Sequence, residues 1–272
     1  MCAYYHNQIP YIIGLDLHGT LLEPGEVLRD ELVPEIARAL SAVREKALIY
    51  LCTGNDLSFV DQKVPRNLRE LLDGYVLETG CSVSNDKKAE TMLTSLEDRN
   101  KIKELERLLN RQGFVELNYF AHRLTSIAMF TENPPGFFKK VKEFVDSTPF
   151  KESVDVIYSS VAVDIIPRGY NKFRGLVAAA QGRKTIGVAD SVNDLPLLIY
   201  ADHAFAPANL APQVAGFLAH PEDPSGKQRG IKPLTEASGL DEDKLFVAES
   251  RETRGVIEIL GFLARHLPSI KE

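Results

Sequence analysis

Short apolar segments that each stop at a polar residue, with helical patterns between them, constrain the fold of this chain most. Tyr11–Leu15 is a β-prone run that stops at Asp16, and Ala47–Cys52 is a second run that stops at Thr53. Continuous runs of this kind are typical of strands covered on both faces, as in a parallel sheet. The segment between them repeats apolar residues at the spacing of one helix face, namely Ile36, Leu40 and Val43. This alternation predicts an α/β fold with a doubly wound, Rossmann-like parallel sheet.

The same alternation returns in the last third of the chain. Residues 171–180 have a helical pattern, Thr185–Ala189 is an apolar run that stops at Asp190, and His203–Ala206 predicts one more short strand. Residues 221–250 show little periodicity, so we predict a long loop there. A helix is predicted to close the chain.

Residues 84–167 follow a different order, in which each of two helices is followed by two strands. The four strands are predicted at residues 114–120, 124–131, 154–158 and 161–166. The duplication predicts a small α+β domain with a four-stranded antiparallel sheet. We therefore divide the chain into a larger α/β domain, residues 1–83 and 168–272, and an inserted α+β domain, residues 84–167.

Length and charge limit the partners that this chain can have. At ~100–200 residues per domain, its 272 residues fit one large domain or two modest ones. With 32 Lys and Arg against 38 Asp and Glu, the net charge of −6 disfavours non-specific nucleic-acid binding. No run approaches the ~18 apolar residues of a membrane span, no signal-peptide pattern opens the chain, and the three cysteines form no CxxC pair. We expect a cytoplasmic protein without a nucleic-acid or membrane partner; its oligomeric state stays open.

Polar residues collect at the predicted carboxyl edge of the sheet, where open α/β sheets bind ligands. Asp16, Thr53 and Asp190 each follow a strand, and Lys172 lies in the first turn of a helix. Neighbouring carboxylates without a His or Cys cluster favour Mg²⁺. A lysine, a threonine hydroxyl and helix N-termini suit a phosphate group. The sequence therefore predicts a magnesium and phosphate site at this edge.

The same residues carry a resemblance to a known family. Asp16–Leu21 (DLHGTL) resembles the first motif, DxDGT[LV], of the haloacid dehalogenase (HAD) superfamily, and Leu51–Gly54 (LCTG) resembles the second. Lys172 matches the lysine of the third motif, and Ala189–Asp194 (ADSVND) is similar to the fourth, GDSxND. Glu78–Gly80 (ETG) is similar to the ENG segment of the Cof-like members. The four motifs occur in the family order and span most of the chain.

The resemblance implies a Mg²⁺-dependent phosphatase of the Cof-like or sucrose-phosphatase-like type. Residues 84–167 lie between the second and third motifs, where such proteins insert a type C2 cap. The implied substrate is a small phosphorylated metabolite, such as a sugar phosphate or a phosphoglycolate-like ester. Asp16 would attack phosphorus and form an aspartyl-phosphate intermediate.

The resemblance also implies a role for each matching residue. The implied metal ligands are Asp16, the backbone carbonyl of His18 and Asp190, supported by Asn193 and Asp194. The implied phosphate-binding residues are Thr53, Gly54, Asn55 and Lys172. In the inserted domain, His122 and Arg123 lie in a turn between two predicted strands, and Arg123 would suit a carboxylate or a second phosphate of the substrate. A solvated hairpin tip is the alternative interpretation of this turn.

His18 departs from the family pattern, because phosphatases of the family carry Asp at that position. That Asp protonates the leaving alkoxide and then deprotonates the attacking water. Histidine, with an ordinary pKa of ~6.5, can carry out both transfers near neutral pH. Three functions stay open: a hydrolase that uses His18 as acid and base, a phosphotransferase with a long-lived phospho-enzyme, and a phosphate-ester-binding protein without turnover.

Overall fold

A computed structural model describes residues 9–121, 123–159, 161–221 and 223–269 of the chain. The strands in these ranges are β1 (Tyr11–Asp16), β2 (Ala47–Cys52), β3 (Gly74–Leu77), β4 (Ser82–Ser84), β5 (Thr91–Met92), β6 (Tyr119–Ala121), β7 (Ile127–Phe130), β8 (Val154–Tyr158), β9 (Ala162–Pro167), β10 (Lys184–Val188), β11 (His203–Ala206), β12 (Gly230–Pro233) and β13 (Lys244–Val247). The α-helices are α1 (Val33–Arg44), α2 (Leu57–Lys63), α3 (Arg66–Arg69), α4 (Leu96–Gln112), α5 (Pro134–Asp146), α6 (Lys172–Ala180), α7 (Leu195–Tyr200), α8 (Pro212–Ala219) and α9 (Glu252–His266). None of these helices is long and apolar enough to cross a membrane.

The larger sheet has nine strands in the order β12-β13-β11-β10-β1-β2-β3-β4-β5. All neighbours from β12 to β3 pair in parallel, and β4 and β5 are added in antiparallel fashion. In the centre, Ile13 of β1 lies between Ile186 of β10 and Ile49 of β2. The doubly wound α/β prediction is confirmed.

Helices cover both faces of this sheet, which explains the continuous apolar runs. Alternate strand residues point to opposite faces. Ile13 packs with residues of α1 and α9 on one face, and Ile12 packs with residues of α6 and α7 on the other. Both residues are fully buried. An unpaired polar side chain inside such a strand would lose its water, which favours polar residues at the strand ends.

The smaller sheet is antiparallel, in the order β6-β7-β9-β8. The helices α4 and α5 cover one face, where Leu105 and Phe137 are buried against Met129 and Val163. Helix α4 begins with a capping box, in which the side chains of Ser95 and Asp98 bond each other's backbone amides. This α+β unit has the four-stranded sheet that the helix and strand pattern predicts.

Three details differ from the sequence expectations. The strand predicted at 114–120 is reduced to β6, because the chain turns after α4 and the ring of Phe114 packs edge-on against Phe137, 5.3 Å between centroids. The long loop predicted at 221–250 is wrong, since β12 and β13 lie within it and extend the larger sheet. The larger sheet also continues past residue 84, where we predicted the inserted domain to begin, because β5 pairs with β4.

Candidate active site

The carboxyl ends of three neighbouring strands bring the predicted site residues together. Asp16 is the last residue of β1, Thr53 follows β2, and Asp190 comes two residues after β10. The strands lie side by side in the order β10-β1-β2 and run parallel, so their ends meet at one edge. Lys172 begins α6 behind this edge, and the side chain of Asn171 caps that helix by accepting from the Arg174 amide.

A buried cluster of charges lies at this edge. Lys172 Nζ donates to Asp16 Oδ1 over 2.5 Å and also donates to Asp194 Oδ1. Carboxylate oxygens of Asp16, Asp190 and Asp194 all lie within 4.8 Å of one another. Asp16, Asp194 and Lys172 are buried, and Asp190 is partly exposed. The cluster therefore brings together residues of the first, third and fourth motifs.

The charges of the cluster are unbalanced without a further cation. Burial and the charge of Asp194 raise the pKa of Asp16, and burial with the charge of Asp16 raises the pKa of Asp190. Burial alone would lower the pKa of Lys172, but the charges and hydrogen bonds of Asp16 and Asp194 outweigh it and hold that pKa above its usual range. Three carboxylates thus share the charge of one ammonium group at close range, which favours binding of a cation.

One oxygen of the cluster is free to react or to bind a ligand. Asp16 Oδ2 is buried and has no hydrogen-bond partner among the described residues, although Oδ1 of the same carboxylate is held by Lys172. A buried carboxylate oxygen without a partner is costly unless something binds it. The geometry therefore fits a metal ion, a phosphoryl group or both at Oδ2.

The loop after β1 holds Asp190 in place. Thr20 Oγ1 donates to Asp190 Oδ1 over 3.1 Å. Gly19 has a φ of +74°, and a Cβ there would lie 2.5 Å from Asp190 Oδ2, so a larger residue would displace the carboxylate. The glycine and the threonine of the first motif thus have local structural reasons to be present.

His18 lies beside this cluster, at the partly open side of the site. Its Nε2 is 3.8 Å from Glu26 Oε1, and its ring packs against Phe59 with 5.3 Å between centroids. About a third of its side chain is exposed (34%). Burial of the rest and the charge of Lys172 lower the pKa of His18 to about 4, so the imidazole is neutral near pH 7.

The loop after β2 is tied to the strand beside it. Thr53 donates its amide to Val76 O over 2.9 Å, and Thr79 donates its amide to Thr53 O over 3.0 Å. The Thr53 hydroxyl accepts from the Asn55 amide over 3.1 Å. Thr53 is buried and Gly54 is only partly exposed, so this short loop is packed and hydrogen-bonded along one wall of the site.

The inserted domain closes over this loop. Arg123 Nη2 donates to Asn55 Oδ1 over 2.9 Å, and Arg123 Nη1 donates to Asp164 Oδ1 over 3.1 Å. Its side chain is only 6% exposed. The alternative of a solvated hairpin tip is therefore wrong for Arg123, while His122 lies outside the described residues.

A buried glutamate fixes the position of this segment. The Glu78 carboxylate accepts from the Leu124 amide (3.1 Å), from the amide and hydroxyl of Thr125 (2.8 and 2.5 Å) and from the Ser126 hydroxyl (3.2 Å). Glu78 lies between β3 and β4 of the larger sheet and is fully buried. These four bonds dock the start of β7 against the larger domain, which places Arg123 beside the Asn55 loop.

Three residues of this region were missed by the sequence analysis. Asn209 Nδ2 donates to Gly19 O over 2.7 Å and to Asp190 Oδ2 over 3.2 Å. Asn209 follows β11 at the same sheet edge, so the rule that found Asp16 and Asp190 applied to it as well. Asp164 is a single carboxylate inside an apolar strand pattern, which was also a readable signal. Glu78 was named only as part of a motif.

Asn193 and Asp194 differ in their contacts. Asp194 bonds Lys172 directly, and Ser191 Oγ donates to its other oxygen over 2.7 Å. Asn193 bonds Ser191 and lines a cleft of about 460 Å³ between the two domains. The cleft is bounded on one side by β8 and on the other by Thr79, Val192, Asn193, Leu195 and Pro196. Its size is that of a small-molecule site.

Comparisons with known proteins give matches in structure alone. No family model matches the sequence, and no curated protein matches it. The structure is similar to a sucrose-phosphatase from Synechocystis sp. PCC6803 solved with sucrose and phosphate (TM-score 0.65, 15% identity, covering 94% of this chain and 98% of that chain). It is also similar to the C-terminal domain of a Candida albicans trehalose-6-phosphate phosphatase (0.57, 17%, 97% and 95%) and to a haloacid dehalogenase-like hydrolase from Bacteroides thetaiotaomicron (0.59, 16%, 92% and 98%). The chain therefore shares the overall fold of these enzymes.

Proposed function

We propose that this protein is a Mg²⁺-dependent phosphomonoester hydrolase that acts on a small phosphorylated metabolite, either a sugar phosphate or a phosphoglycolate-like ester. One observation carries the proposal. Asp16 presents a buried Oδ2 that has no partner in the described part of the chain, while Lys172 holds its Oδ1. A nucleophile needs a free oxygen in a fixed position, and this carboxylate has one.

The acidic cluster fits a magnesium site. Mg²⁺ prefers oxygen ligands and is commonly bound by one or two carboxylates together with phosphate oxygens. Asp16, Asp190 and the backbone carbonyl of His18 would hold the ion. When bound there, Mg²⁺ would offset the negative charge that builds up between the carboxylates and a phosphate group.

The reaction would take place at Asp16 in two steps. In the first, Oδ2 attacks phosphorus, the ester P–O bond breaks, and the leaving oxygen takes up a proton. In the second, water attacks phosphorus of the aspartyl-phosphate, loses a proton, and releases phosphate and the free Asp16 carboxylate. Lys172, the Thr53 hydroxyl and the amides around Gly54 would bind the phosphate oxygens throughout.

His18 would carry the proton in both steps. Its side chain lies at the open side of the cluster, next to Phe59 and Glu26. A neutral imidazole is suited to take the proton of the attacking water. It is less suited to protonate the leaving oxygen, so we expect esters with good leaving groups to react fastest.

The Asp16→Asn variant tests the nucleophile. With p-nitrophenyl phosphate and Mg²⁺, we expect the variant to lose about a thousandfold or more of kcat, with its circular dichroism spectrum unchanged. Asp61→Asn, which removes a surface carboxylate paired with Arg69, is the matched control and should keep full activity. Retention of Mg²⁺-dependent turnover by Asp16→Asn would show that another group is the nucleophile.

The same assay separates the two alternatives. A phosphotransferase would pass the phosphoryl group to an added alcohol faster than to water, and a binding protein would bind esters without releasing phosphate. For the hydrolase proposed here, phosphate release should equal nitrophenol release, with or without glycerol as an acceptor.

A further inference from the structure

Arg123 and Asp164 form a buried ion pair that faces the candidate active site. Arg123 Nη1 lies 3.1 Å from Asp164 Oδ1, and the two side chains are 6% and 11% exposed. Both residues belong to the inserted domain, but Arg123 also bonds Asn55 of the larger domain. The pair is therefore enclosed between the two domains.

The pair lies next to the loop that we expect to bind phosphate. A Cβ placed on Gly54 would be 3.8 Å from Arg123 Nη1. Electrostatic interactions also cross the domain boundary. Arg123 helps to lower the pKa of His18, and Lys172 opposes the rise that burial causes in the pKa of Asp164. A phosphate ester bound at Gly54 would thus present its leaving group to Arg123 and Asp164.

Asp164 lies on the face of the smaller sheet that is turned away from α4 and α5, because its neighbours Val163 and Ile165 pack against those helices. The strand register places Ala121, Ala128, Asp164 and Ile157 in one row across the four strands. Ile157 lines the cleft of about 460 Å³ between the domains. The row therefore joins Asp164 to β8, the strand that borders the cleft.

The paired charges decide which leaving group fits. Asp164 neutralises the guanidinium, and a ligand carboxylate or second phosphate would meet the repulsion of this buried anion. A hydroxyl group can donate to the carboxylate and accept from the guanidinium, which has five donors, two of them engaged with Asp164 and Asn55. An alcohol can therefore hydrogen-bond to both Arg123 and Asp164, whereas an anion can accept from Arg123 alone.

We infer that Arg123 and Asp164 together select an ester whose leaving group is a neutral polyol, and reject one that carries a carboxylate or a second phosphate. This inference rests on the proposed hydrolase function and narrows its substrate class. It also replaces the expectation that Arg123 binds an anionic group.

A matched pair of esters tests the inference. Glycerol 3-phosphate and 3-phosphoglycerate share one skeleton and differ in a hydroxymethyl group against a carboxylate. We expect the kcat/KM of the wild type to be about tenfold or more higher for glycerol 3-phosphate than for 3-phosphoglycerate. Asp164→Asn should lower the ratio of these two values by about tenfold. Glu116→Gln, which removes another carboxylate of the inserted domain from its pair with Lys140, should leave the ratio unchanged.

The outcomes separate the inference from the proposed function. A wild type that prefers 3-phosphoglycerate, or a ratio that Asp164→Asn does not change, overturns the inference while turnover still supports the hydrolase. If the wild type hydrolyses neither these esters nor p-nitrophenyl phosphate, the hydrolase proposal fails. In that case the Kd values of the same two esters, measured by calorimetry, test the inference. Tighter binding of glycerol 3-phosphate than of 3-phosphoglycerate supports it, and equal or absent binding overturns it.

Discussion

Lys172 Nζ lies 2.5 Å from Asp16 Oδ1 and also donates to Asp194, so one ammonium group joins two buried carboxylates. Removing it would leave these carboxylates together with Asp190 in a buried site. We predict that Lys172→Met lowers the free energy of unfolding by about 3–5 kcal/mol, the range for breaking a buried ion pair. Urea unfolding without divalent metal measures this loss.

Lys140→Met provides the control for Lys172→Met. Lys140 pairs with Glu116 at the surface, and such pairs contribute about 0–1 kcal/mol. Equal losses for the two variants would mean that the Lys172 contacts contribute no more than a surface pair does.

Divalent metal should stabilise the folded protein through the three carboxylates. We predict that Mg²⁺ raises the melting temperature of the wild type, because an ion that binds the folded state alone adds about 2.7 kcal/mol at a hundred times its Kd. Asp190→Asn should abolish the rise, since Asp190 supplies one of the clustered oxygens. Thermal unfolding in EDTA and in Mg²⁺, at matched ionic strength, is the measurement. A rise that survives in Asp190→Asn would place the ion elsewhere.

Asn209 joins two parts of the site and one helix. Its Nδ2 bonds Gly19 O and Asp190 Oδ2, and its Oδ1 accepts from the Glu252 amide at the start of α9 over 2.8 Å. We predict that Asn209→Ala weakens Mg²⁺ binding by about 10–100-fold, the usual effect of removing a residue that orients a ligand. The Mg²⁺ dependence of kcat measures it, and Asn110→Ala on the surface of α4 is the control. An unchanged Mg²⁺ dependence would limit Asn209 to holding the backbone.

The sequence predicted the central strands because those strands are buried on both faces. β1, β2, β10 and β11 agree with their apolar runs within about one residue at each end. β12 is exposed along its whole length, so its sequence has no apolar pattern, and backbone pairing with β13 defines it. β13 lies inside the sheet between β12 and β11, and its apolar residues Leu245, Phe246 and Val247 were a readable signal. An edge of a sheet is set by backbone hydrogen bonds, which side-chain patterns do not record.

The contacts of the site likewise divide into those that the sequence predicts and those that it does not. Asp16, Thr53 and Asp190 were predicted to meet because parallel strands end at one edge, and that rule needs no knowledge of other contacts. The bond from Arg123 to Asn55 spans 68 positions, and those to Glu78 span 46 to 48. They depend on how the inserted domain docks on the larger one, and no periodicity of either domain encodes that orientation. For this reason the sequence named Arg123 but did not predict its bond to Asn55.

His18 offers the sharpest test of how protons move in this site. Its imidazole is neutral near pH 7, because burial and Lys172 lower its pKa to about 4. We predict that His18→Asp increases kcat for alkyl phosphates more than for p-nitrophenyl phosphate, since an alkoxide needs a proton and nitrophenolate does not. Proton transfer by a well-placed acid contributes about 10²–10⁴-fold, which bounds the gain. Initial rates for glycerol 3-phosphate and the aryl ester, in wild type and variant, give the comparison.

The controls for His18 follow from its neighbours. His18→Asn keeps a polar side chain near Glu26 but cannot exchange a proton, so it should show no gain for alkyl esters and should lose activity for both. A gain of equal size for both esters in His18→Asp would point to relief of crowding by the ring against Phe59, because a smaller side chain helps every substrate alike. A loss for both esters in His18→Asp would show instead that the imidazole is already the better proton carrier, with its position beside Glu26 and Phe59 compensating for its lowered pKa.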